Sequence, residues 1–144
     1  MRLSVLVVAA AAFTAAPSAL AQASVENIAG AWQCQQAARA FNNDPTQSHS
    51  WNFALQLDAG GQFQAQGSYY SPSIGMQEQF YGQGTWKIDQ ANGTTFVTMT
   101  GNWTRVGYET STLQYPMSLQ LADTRNMYAS TRDQFTEMSS QCQR

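Results

Sequence analysis

The sequence predicts an all-β fold of about seven or eight strands, whose spacing suits an antiparallel up-and-down β-barrel or a sandwich and whose cysteines favour the small barrel, on three observations. Apolar residues recur at every second position through most of the chain after His49, the signature of strands with one buried and one wet face. Turn-forming pairs such as Gly60-Gly61 and Asn92-Gly93 divide those runs at the spacing of hairpins. Two cysteines, Cys34 and Cys142, stand near opposite ends of the chain, where a bridge between them places a first strand beside a last one.

Residues 1–21 read as a secretory signal peptide: Arg2 precedes an apolar run from Leu3 to Ala16, and Ala19-Leu20-Ala21 supplies the small-residue cleavage site. The remainder, 22–144, is expected to be one domain of about 120 residues, enough for a core of its own. The leader implies export, to the periplasm or out of the cell, and an oxidising compartment in which Cys34 and Cys142 are expected to be bridged. No later apolar run reaches the roughly 20 residues of a membrane helix, so no integral membrane segment is expected. Seven Lys and Arg residues, Arg2 among them, stand against nine acidic ones. Nucleic acid is therefore not an expected partner, because it requires a basic face. Glutamine, serine and threonine take over the polar role on the wet faces.

Gly30-Ala31-Trp32-Gln33-Cys34 opens the first strand, and Gln35 to Phe41 either continues it or forms a helical turn. Asn42-Asn43-Asp44-Pro45-Thr46 then breaks the pattern. Trp51, Phe53, Leu55 and Leu57 alternate as the next strand; Asp58-Ala59-Gly60-Gly61 turns the chain, and Phe63, Ala65, Gly67 and Tyr69 bring it back. After a second turn from Ser71 to Gly75, the residues Met76, Glu78, Phe80, Gly82, Gly84, Trp86 and Ile88 share one parity. Two glycines inside that long strand suggest a bend or a bulge. Asn92-Gly93 joins it to a strand from Thr94 to Arg105, with Val97, Met99 and Trp103 on one face. Leu113, Tyr115, Met117, Leu119 and Leu121 alternate again, and Pro116, which lacks an amide donor, asks for an edge, a bulge or a strand end. A last strand is expected from Met127 to Arg132, then a tail to Cys142; no helix is expected after the leader.

The inward parity gathers Trp51, Phe53, Phe63, Tyr69, Glu78, Phe80, Trp86 and Tyr115 as the candidate ligand-binding set, with Leu55, Met99, Leu113 and Met117 among them. The same side chains also suit a packed core, and alternation alone does not separate a lined cavity from a filled one. Glu78 is the odd member, since a carboxylate in an apolar interior is costly unless paired. Either it anchors a ligand, with Arg105 or Arg132 as internal counter-charge, or a bulge at Gly82 or Gly84 turns it to water. His49 is the single histidine and both cysteines are committed, so no metal site, no histidine-centred triad and no cofactor is expected. A hydrolase acting through Glu78, Asp133 and Glu137 has no local motif behind it, and the chain is expected not to be an enzyme. Two partner classes remain. One is a small, mostly apolar molecule in the barrel mouth; the other is a protein held by the loops Phe41–Ser50 and Ser71–Gly75, in a module such as an inhibitor or envelope factor.

Gly30-Ala31-Trp32 near the start of the first strand, the consecutive hairpins and a basic residue late in the chain resemble the lipocalin and avidin type of calycin barrel. The resemblance covers most of 22–144 as a pattern, and Gly30-Ala31-Trp32 is its one specific motif; a second motif of the T-D-Y-x-x-Y kind and a long helix before the last strand are both missing. It implies that Gly30 and Trp32 build the closed end. It further implies that Arg132 packs across Trp32 in a cation–π contact worth about 0.5 to 2 kcal/mol.

Overall fold

A computed structural model describes residues 23–144 except 43, 45–47 and 108–109, and the side chain of Tyr115 also lies outside the described set. The signal peptide expected over 1–21 falls outside the described residues. A single helical turn, α1 (Val25–Ile28), precedes eight strands: β1 (Gly30–Ala40), β2 (His49–Leu57), β3 (Gln62–Tyr70), β4 (Gln77–Ala91), β5 (Thr94–Val106), β6 (Ser111–Asp123), β7 (Asn126–Arg132) and β8 (Thr136–Gln143). Each strand pairs antiparallel with the next, and β1 pairs with β8, so the sheet closes as an up-and-down barrel. Cys34 and Cys142 stand directly opposite each other in that closing register, with an S–S distance of 1.99 Å.

The turns follow local chemistry. Asn92 and Gly93 take φ of 51° and 75°, the left-handed pair that a two-residue hairpin of the primed type demands. At three other connections an aspartate organises the backbone: Asp58 accepts the Gly60 amide at 2.6 Å, Asp123 accepts the Arg125 amide at 2.6 Å, and Asp133 accepts the Phe135 and Thr136 amides at 2.7 Å each. The Asp133 turn converts the expected tail into β8. Thr136, Met138, Ser140 and Cys142 share one parity there, and two of the four are polar, so the alternation is weak in the sequence. The unexpected α1 is one turn capped by Ser24, whose hydroxyl accepts the Asn27 amide at 3.4 Å. Gln35 to Ala40 continue β1 as strand.

The bulge expected at Gly82 or Gly84 is absent. β4 keeps an unbroken register with β3 and with β5, so one parity runs inward from Glu78 to Trp86. Gly82 is instead a packing device: a Cβ there would lie 2.6 Å from Cε3 of Trp103, whose ring occupies the space. Pro116 pairs across to Thr100 of β5, while the ladder between β6 and β7 is confined to Gln120, Leu121 and Asp123 at the foot of the strands. The upper part of β6 is therefore an edge inside a nominally closed barrel, the setting that a residue without an amide proton tolerates.

The core is layered along the axis. At the lower end Ile28, Trp32, Leu57, Leu121 and Met127 are buried, and Trp32 Nε1 donates to the Ile28 carbonyl at 3.0 Å, which fastens α1 across the opening. Phe53, Leu55, Phe63, Met99, Trp103 and Leu119 fill the middle. The outer wall is mostly uncharged and polar, with Gln33, Gln35, Gln56, Gln64, Gln66 and Gln83 all exposed beside the ion pairs Arg39–Glu137 and Lys87–Asp89. No helix among the described residues is long and apolar enough to cross a membrane.

Candidate binding site at the barrel mouth

The interior changes character toward the upper end. A cavity of about 370 Å³ lies there, lined by Gln36 and Met138 of β1 and β8, His49 and Trp51 of β2, Tyr69 of β3, Phe80 of β4, Trp103 and Arg105 of β5, and Ser111 and Leu113 of β6. Period-two alternation delivers each of these side chains to the same face of the sheet. Rings fix the floor: Phe80 and Trp103 stack with centroids 5.7 Å apart and planes 12° from parallel, and Phe63 lies beneath Trp103 at 5.0 Å. His49 meets Trp51 edge-on at 4.3 Å, and Trp51 leans on Tyr69 at 5.3 Å, forming one wall. On the opposite side the wall is the part of β6 without a ladder to β7, where Leu113 is 62% exposed.

The expected ligand-binding set therefore divides by depth. Trp51, Tyr69 and Phe80 line the cavity. Phe53 and Phe63 are buried beneath its floor, and Trp86 belongs to the closed end, where its Nε1 donates to the Asp58 carbonyl at 2.7 Å. These three are core. Tyr115 falls outside the described side chains. Gln36, His49, Trp103, Arg105, Ser111 and Met138 complete the cavity without having been in the candidate set, together with Leu113 of the wider inward parity; Trp103 already carried the inward parity, whereas Met138 sat in the unread strand.

Glu78 points inward, 4% exposed, which corrects the expectation of a bulge turning it to water. Its Oε2 lies 2.9 Å from Arg105 Nε, so of the two counter-charges considered Arg105 is the one used. The Arg105 guanidinium also rests over the Tyr69 ring, 4.6 Å from its centroid. Gly107 completes the enclosure, since any Cβ there would collide with the Glu78 carboxylate. Burial first, and the nearby Arg105 charge second, push the His49 pKa below its ordinary 6.5, so the imidazole is neutral at pH 7.

Arg132 does not serve the closed end. Its guanidinium lies 4.4 Å from the Phe41 ring centroid, at the upper end, because β7 runs upward from Asn126 to Arg132. The cation over Trp32 is Arg144, at 4.8 Å, which also donates to the carbonyls of Thr124 at 2.8 Å and Ala29 at 3.0 Å and to that of Asn27. Gly30 stands next to it, with φ of 128°. Among the carboxylates considered for hydrolysis, Asp133 is held by turn amides and Glu137 pairs with Arg39 at 3.2 Å on the outside. Neither shares a cleft with Glu78. No protein-family model, curated protein or solved structure matches the chain.

Proposed function

We propose that the protein is an exported carrier or sensor that binds one small, mostly apolar molecule in the barrel mouth, without chemistry of its own. The observation that supports this reading is the cavity of about 370 Å³ above the Phe80–Trp103 floor. Its size falls in the range of small-molecule sites, and its lining joins aromatic walls to a few convergent polar groups. The disulfide accords with an oxidising compartment, and the leader expected over residues 1–21 supports a reading in which that compartment is the periplasm or the outside of the cell. Native mass spectrometry of the protein from its own host, followed by organic extraction, tests the reading. A stoichiometric small molecule that is lost in Leu113→Trp, which fills the mouth, supports it; an empty barrel that also ignores apolar fluorescent probes refutes it.

A second reading rests on the rim. Phe41, Met76 and Phe135 are 40%, 52% and 60% exposed on three loops of the upper end. Exposed apolar side chains gathered at one end of a polar barrel mark an interaction surface. A protein partner bound there would be released by Phe135→Ser with Met76→Ser, substitutions that leave the cavity untouched.

A further inference from the structure

Among the described residues the cavity lining carries one formal positive charge, that of Arg105, and the buried Glu78 beside it neutralises that charge, which selects among guests. We infer that the guest is an electrically neutral, flat apolar molecule carrying a hydrogen-bond acceptor such as a carbonyl oxygen, which docks on the Nη groups of Arg105. The inference rests on the mouth-binding reading and names its ligand class.

The argument is an accounting of Arg105. Nε faces Glu78 at 2.9 Å and the guanidinium face covers Tyr69, which holds the side chain in one orientation. The two Nη groups pair with no side chain among the described residues, and Arg105 lines the cavity, so they are the donors presented to a guest. Arginine carries five N–H donors and no acceptor, so only an acceptor answers it.

Charge then decides which acceptor. A carboxylate guest attracted by Arg105 is repelled by Glu78, which lies 2.9 Å from that arginine, and it still surrenders its hydration on entering an aromatic cavity. The other polar groups of the lining, Gln36, Ser111 and the neutral imidazole of His49, offer it no compensating charge. A cationic guest meets Arg105 and pays the same desolvation. A neutral carbonyl loses far less hydration and regains a charge-assisted hydrogen bond. The stacked rings below and the Trp51 and Tyr69 wall favour a planar body over a bulky one.

Four probes with one apolar body separate the cases: ethylnaphthalene, methyl naphthyl ketone, naphthoate and naphthylmethylammonium, titrated against the full-length oxidised protein by tryptophan fluorescence and calorimetry. The ketone is expected to bind about tenfold or more tighter than each of the other three, the equivalent of one good hydrogen bond. Arg105→Met should erase its advantage over ethylnaphthalene while ethylnaphthalene still binds. Glu78→Gln, which unmasks the Arg105 charge, should make naphthoate the preferred probe. If Glu78→Gln fails to fold, the wild-type ranking and Arg105→Met decide alone. Wild-type preference for naphthoate or for the amine, or equal binding of ketone and ethylnaphthalene, overturns the inference while leaving the mouth-binding reading intact. No binding of any probe to any variant overturns both.

Discussion

Replacing both Cys34 and Cys142 by alanine, or reducing the bridge, should cost much of the barrel's stability. The two residues are 108 positions apart in sequence, so their bond removes a loop closure of that length from the unfolded ensemble. On the chain-entropy account this is worth about 5 kcal/mol at 25 °C, and residual structure in the unfolded chain lowers it to about 3 to 5 kcal/mol. A domain of about 120 residues has an unfolding entropy near 250 cal/mol/K, so the melting midpoint should fall by about 12 to 20 °C. β1 and β8 pair from Gln33↔Gln143 to Ala40↔Thr136, a seam of backbone hydrogen bonds that does not depend on the sulfur atoms, so the chain-entropy account assigns the loss to the unfolded state. Calorimetry of oxidised, reduced and Cys34→Ala/Cys142→Ala protein measures the effect. A midpoint shift under about 3 °C in both reduced and mutant protein would refute the closure argument.

Other outcomes follow from the same contacts. Gly82→Val should destabilise by about 1 to 3 kcal/mol and shift tryptophan emission, because its side chain displaces the Trp103 ring held between Phe80 and Phe63; chemical denaturation with fluorescence reads both. Arg144→Met should loosen α1 by about 1 kcal/mol, seen as faster amide exchange at Asn27 to Ala29, whereas Arg132→Met should leave that exchange unchanged. For His49 the folded pKa lies below the unfolded 6.5, so its contribution to stability is complete above pH 6.5 and is lost as pH falls through the folded pKa. An NMR titration of the single imidazole should therefore show a midpoint below 6.5, and His49→Gln should flatten the stability profile on the acid side of neutrality; a midpoint above 6.5 contradicts the burial of the ring.

The strands, their inward faces and the disulfide were legible because each is a short-range or chemical signal. Trp51-x-Phe53-x-Leu55-x-Leu57 declares a buried face on its own, Asn92-Gly93 declares a turn, and a chain with two cysteines offers each of them one partner. Glu78 was legible as an anomaly but not as a solution. Two glycines downstream permit either a bulge or a straight strand, and the choice fell to a contact made across the sheet, since the Trp103 ring from β5 needs the missing side chain of Gly82. Arg105 then meets Glu78 because register, a property of two strands and not of one, places it beside Phe80.

The two arginines make the same point. The family resemblance points to Arg132 as the late cation, and the direction in which β7 and β8 run along the axis sends Arg132 to the upper rim and brings Arg144, on which no expectation rested, to Trp32. The sequence by itself determined which side chains leave water, through the hydrophobic pattern of each segment. Only the tertiary structure decided how deep each one lies, and hence that Phe53, Phe63 and Trp86 are packing while Trp51, Tyr69, Phe80, Trp103 and Arg105 face an open cavity, because depth along a barrel depends on strand register and stagger.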